Sequence, residues 1–164
     1  MPEAASANVQ AANNQQPTDN VRYETYLWLA SNTTATPALG QIVKFGTTSQ
    51  GGTITGDGAY TPIQVILTTT SVDFTHCGVV VGGTSWGSIP VVGGLVMVAT
   101  EGVVQALFDA NNTTAGHLAN FSTTTAGTCT DSATATLGKT MGVILQTVTI
   151  SSGTALVWIH AHMV

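Results

Sequence analysis

Acid–base chemistry needs carboxylates that converge. Asp57, Asp73, Glu101, Asp109 and Asp131 are instead scattered, mostly in turn-like contexts, with no recognisable pair. Asp57, between Gly56 and Gly58, reads as a tight turn. A nucleophile would need a base beside it, but His76 and Cys77 are neighbours on an expected strand, where consecutive side chains point to opposite faces. His160 and His162 share a face by the same alternation, and two imidazoles without a third ligand are too few to hold a metal. Cys77 and Cys129 fit no zinc spacing and are too few for a disulfide framework, so both are expected as free thiols. The expectation is a chain with no catalytic residues, no cofactor and no metal.

The large apolar side chains offer a different chemistry, that of contact. Tyr23, Tyr26 and Trp28 cluster near the start, and Trp86 sits in a Gly/Ser loop beside Ile89 and Pro90. Aromatic residues are enriched where proteins meet. With Val9, these residues (Tyr23, Tyr26, Trp28, Trp86, Ile89) form the candidate interface set. Alternation sends Tyr26 and Trp28 to one face, so an ordinary core position accounts for that pair equally well, and Trp86 is open between loop anchor and interface contact.

The elements that must position these groups are strands. From Val21 onward, short runs rich in Val, Ile, Thr, Tyr and Trp are broken by Gly and by Ser/Thr/Asn clusters. The expected strands are 23–29, 41–45, 63–68, 78–81, 95–101, 103–108, 117–121, 141–148 and 154–162, with one helical turn near 109–114. Glu101-Gly102 marks a β-bulge or a bend between two strands. The Thr-rich stretches 68–71 and 123–130 are expected as exposed loops. Residues 1–20 are mostly Ala, Asn, Gln and Ser, and lack the apolar content to fold alone. The organisation is therefore an extended N-terminal arm, 1–20, followed by one β domain, 21–164, a single compact antiparallel barrel or sandwich.

Composition narrows the partners. Charged residues make up only 7% of the 164, against about 25% in an ordinary soluble domain. The net charge of −5 rests on eight acidic residues against Arg22, Lys44 and Lys139, so no basic stripe exists to neutralise phosphates, and nucleic acid is not an expected partner. No apolar run approaches the roughly 18 residues of a membrane span, and the first residues lack the pattern of a secretory signal. Synthesis and residence in a cytosol-like compartment are expected. Few charges keep neighbouring molecules apart, which suits a protein packed in an assembly.

Two stretches of sequence repeat one another. Gly40-Gln41-Ile42-Val43-Lys44-Phe45 resembles Gly116-His117-Leu118-Ala119-Asn120-Phe121, and Cys77-Gly78-Val79-Val80 resembles Met141-Gly142-Val143-Ile144. A third pair matches Gly93–Val98 to Gly153–Trp158 in the same order. Two copies of such a unit can bury each other's apolar faces.

With Val98–Val104, Ala115-Gly116, Ala126-Gly127, Leu137–Ile144 and the terminal His160–Val164, the second half resembles the head decoration, or capsid cement, proteins of tailed bacteriophages. The resemblance covers 38–164 loosely and departs in a longer 60–90 region. It implies a compact β domain, commonly trimeric, on the outer surface of a virion, with the major capsid protein and neighbouring copies of itself as partners and no catalytic residues. The alternative expectation is a carbohydrate-binding β-sandwich of fibre or lectin type, with an exposed Trp86 and neutral loops as its platform.

Overall fold

The computed structural model describes residues 22–28, 37–45, 64–67, 76–91, 94–109, 112–137, 139–149 and 153–160; the arm 1–20, and with it Val9, lies outside the described residues. The described chain is all β, with no helix: β1 (Arg22–Trp28), β2 (Ile42–Phe45), β3 (Gln64–Leu67), β4 (His76–Gly82), β5 (Leu95–Leu107), β6 (Leu118–Phe121), β7 (Cys129–Ser132), β8 (Thr140–Ile144) and β9 (Thr154–His160). They form one curled nine-stranded sheet in the order β1-β3-β2-β4-β5-β9-β8-β6-β7, and β1 also pairs with β5, closing the first five into a ring. Among the described residues no helix is long and apolar enough to cross a membrane.

The sheet contains one pattern twice. β2 meets β4 as Ile42↔Val79 and Val43↔Gly78 before a bulge sets Lys44 opposite His76. In the same way β6 meets β8 as Leu118↔Val143 and Ala119↔Gly142 before a bulge sets Asn120 opposite Thr140. On the outer flank β3 sets Val65 against Phe45, as β7 sets Cys129 against Phe121. The entering turns agree bond for bond. The Gly40 N–H donates to the Val80 carbonyl and the Gly116 N–H to the Ile144 carbonyl, each at 2.8 Å, and both glycines adopt positive φ, 83° and 89°.

Each unit also has a first strand. β1 runs antiparallel to the first half of β5, with Tyr26↔Val96 and Leu27↔Leu95. The second half of β5 runs antiparallel to β9 with the matching Ala106↔Ala155 and Leu107↔Thr154. Both rings close through parallel contacts, Trp28↔Val65 in the first and Phe108↔Cys129 in the second. The Asp109 N–H reinforces the second closure by donating to the Cys129 carbonyl at 2.9 Å. β5 therefore ends one unit and begins the next.

Several expectations change. The stretches 95–101 and 103–108 are one strand, because the pairing bulges beside Glu101-Gly102 without a bend: Arg22 faces Glu101 while Tyr23 faces Ala99, which leaves Thr100 as the extra residue, and Gly102 holds a φ of 105°. The extra residue turns the strand over. Before it, Val96 and Val98 enter a small core with Val43, Val65 and Val80; beyond it, Val104 and Ala106 enter the larger core around Phe108, Phe121 and Met141. β7 replaces part of the expected 123–130 loop, of which Thr123, Thr124, Thr125 and Ala126 are exposed while Thr128 and Cys129 are buried. No helical turn forms at Thr113, which bridges to Val148 instead. The third matching pair shifts by one residue: Gly78 packs on the Ala99 carbonyl as Gly142 packs on that of Trp158, so Ala99 corresponds to Trp158 and Val98 to Val157.

Candidate functional site

The polar groups nearest to looking catalytic are spent on holding turns. The buried Ser122 hydroxyl donates to the Asp109 carboxylate at 2.7 Å and accepts the Thr124 and Thr125 N–H groups at 3.0 Å. Its one proton and both lone pairs are committed to holding the turn. This turn also fixes the two units together: the Ile42 N–H donates to the Gly127 carbonyl at 2.9 Å, and Gly127 packs so close to Leu67 that a Cβ would lie 2.7 Å from its Cδ2. His117 Nδ1 pairs with Asp131 Oδ1 at 2.6 Å, while the other carboxylate oxygen of Asp131 accepts the Thr114 N–H. In the first unit the Gln41 side chain takes the corresponding place, accepting the Ala38 N–H at 2.8 Å. Burial first, and the Asp109 charge second, push the Cys129 thiol well above the ordinary thiol range, so it sits as an inert apolar group against Met141. His76 and Cys77 lie on β4, His160 ends β9, and Asp57, Asp73 and His162 lie outside the described residues.

Of the expected interface residues, Tyr23, Tyr26 and Trp28 fall on β1, and Trp86 and Ile89 in the β4–β5 connection. The three on β1 lie opposite Ala99, Val96 and Val65. By register they hold the places that Val103, Ala106 and Phe108 hold in the second unit. Trp86 is half-buried: it bridges to Gly82 and packs against the larger core, which anchors its loop. Ile89, in contrast, is 78% exposed, and Val91 beside it is 67% exposed.

A stronger apolar surface lies where sequence inspection did not look. On β9 the burial alternates strictly, sending Ala155, Val157 and Ile159 inward and Leu156 and Trp158 outward. Trp158 lies opposite Val143, and the Leu145 N–H donates to the Leu156 carbonyl, so Val143, Leu145, Leu156 and Trp158 share one outer face. Leu118 extends it, being opposite Val143 on β6. The face is the equivalent of Val79, Val81, Met97, Ala99 and Ile42 in the first unit. There the positions are covered: Ala99, Val79 and Ile42 are 0% exposed and Val81 8%. In the second unit Leu145 is 46%, Trp158 39% and Leu156 37% exposed. The same positions are apolar in both units: in the first all but the part-buried Met97 are buried, and in the second none is, with Leu118 and Val143 part-buried.

No protein-family model matches the chain, and no curated protein matches it either. Among the described residues, the fold and this surface define a class: an all-β arrangement of two repeated units, one of which turns an apolar face outward that no described residue covers.

Proposed function

We propose that this chain is a structural adhesion subunit, a decoration or cement protein that binds the outer surface of a viral capsid and strengthens it, with the major capsid protein and neighbouring copies of itself, as a homotrimer, for partners. The observation that carries the reading is the outward apolar surface of the sheet, in a chain with few charges to keep neighbours apart. Adhesion needs no reacting group. Weak contacts repeated over a lattice add through effective concentration, so a shell resists rupture without a new covalent bond. Residues 1–20 add to this by laying an extended segment along a neighbouring sheet edge, where backbone hydrogen bonds supply the affinity.

The test is co-sedimentation of the chain with shells of the virus that encodes it. Full-length protein is expected to bind, and deletion of residues 2–18 to weaken binding tenfold or more, about 1.4 kcal/mol, with the melting temperature nearly unchanged. Equal binding by both forms would remove the arm from the mechanism. Pelleting no greater than that of an unrelated β protein would remove the shell.

A further inference from the structure

The internal repeat shows what covers an apolar face of this kind: in the first unit, core residues of the second unit such as Phe108, Phe121 and Met141, together with the Trp86 loop. In the first unit the connection from β4 to β5 folds back over its own sheet: Gly82 is so close to the loop that a Cβ would lie 2.1 Å from the Ser85 carbonyl oxygen, the Gly87 N–H donates to the Val81 carbonyl at 2.8 Å, and Trp86 packs into the cluster holding Ile42, Val79, Val81 and Ala99. The corresponding connection in the second unit, from β8 to β9, runs elsewhere. Its Val148 bridges to Thr113, and among the described residues none covers Leu145, Leu156 and Trp158. The loop that covers the first face meanwhile ends in an apolar tip of its own, Ile89 and Val91, with the half-exposed Leu95 just beyond the Gly94 N–H that donates to the Val91 carbonyl.

We propose that the outer face Val143–Leu145–Leu156–Trp158 takes the Ile89–Val91 loop tip of a second copy of this chain. The two surfaces match in charge as well as in apolarity: no charged residue occurs from Cys77 to Thr100, which supplies the tip, or from Thr140 to Ile159, which supplies the face. The one charged neighbour of the face by register is the exposed Glu101 on β5, opposite His160 and two residues from Val103, so the uncharged part of the face is its Leu156 and Leu145 end. The face and the tip are different surfaces, so the contact is head-to-tail, and repetition gives a ring or a chain of copies rather than an isolated two-fold pair. The inference rests on the adhesive reading above and names the surfaces that copy-to-copy contact uses. It is tested without a shell, so a failure of shell binding and a failure of self-association are separate results.

The experiment is sedimentation velocity of the full chain over a wide concentration range, with Ile89→Lys and Trp158→Lys as single variants and Val91→Lys and Leu145→Lys as second choices at the same two surfaces. Wild type is expected to gain mass with concentration, and each variant to weaken self-association at least tenfold while keeping its circular dichroism spectrum. Mixing Ile89→Lys with Trp158→Lys leaves one intact face and one intact tip, and is expected to give a one-to-one pair and nothing larger. A wild type that stays monomeric throughout, an oligomer that survives both substitutions, or a mixture that stays monomeric would overturn the proposal.

Discussion

The two units differ less in construction than in what covers them. Both place a glycine at the centre of the β2–β4 or β6–β8 pairing, both carry a bulge one residue later, and both enter through a positive-φ glycine with the same hydrogen bonds. One unit spends its outer apolar face on the joint with its sibling and on the Trp86 loop, while the other leaves the equivalent face open. Monomeric proteins rarely keep a contiguous apolar face on a sheet without using it. A shared scaffold with a different cover therefore marks where the proposed adhesion would act more sharply than any motif does.

The comparison breaks most readily at the residue pair that differs most in cover. Ala99→Lys puts a charged side chain where Ala99 is 0% exposed, and is expected to cost at least about 4 kcal/mol, enough to unfold a marginal domain. Its counterpart Trp158→Lys is expected to cost about 1 kcal/mol, because Trp158 is 39% exposed. Urea denaturation measures both, and equal losses would mean that the two faces are not in different states.

A smaller pair of effects tests the equivalence itself. A Cβ at Gly78 would lie 2.0 Å from the Ala99 carbonyl oxygen, and one at Gly142 2.1 Å from that of Trp158, so Gly78→Ala and Gly142→Ala must each push two strands apart. Each is expected to cost about 3 kcal/mol by the same denaturation measurement, with Gly78→Ala the costlier because Gly78 also holds a φ of 149°. A Gly142→Ala variant that costs less than about 1 kcal/mol would show that the second pairing tolerates what the first does not, and that the repeat is only apparent.

Much of the fold was legible because its signals are local. Alternation in Thr154–His160 and the Val/Ile runs of β2, β3, β4 and β8 mark strands directly, and the Gly-Val pairs at Gly78 and Gly142 expose the repeat because the close approach of two backbones excludes any larger residue. β7 was hidden by its composition. Cys129-Thr130-Asp131-Ser132 has the polarity of a loop, and only pairing with β6 and the capping role of Asp131 make it a strand. The unity of β5 was hidden by Gly102, since a bulge and a bend leave the same residue signature. The uncovered face was hidden for a subtler reason: Leu145, Leu156 and Trp158 have the types of core residues, and only the missing cover distinguishes them from Val81, Met97 and Ala99. Trp86, which drew attention as an isolated aromatic in a glycine loop, is the cover rather than the surface.

The most direct measurement of whether the open face is the adhesive one is carbene footprinting of the full-length protein as its concentration rises. The face and the loop tip are expected to lose labelling together, at Leu145, Leu156 and Trp158 and at Ile89 and Val91, while Leu137, 73% exposed on a separate loop, is labelled to the same extent throughout and serves as the internal standard. Labelling at Leu156 and Trp158 that does not change with concentration, or falls no more than at Leu137, would contradict the account.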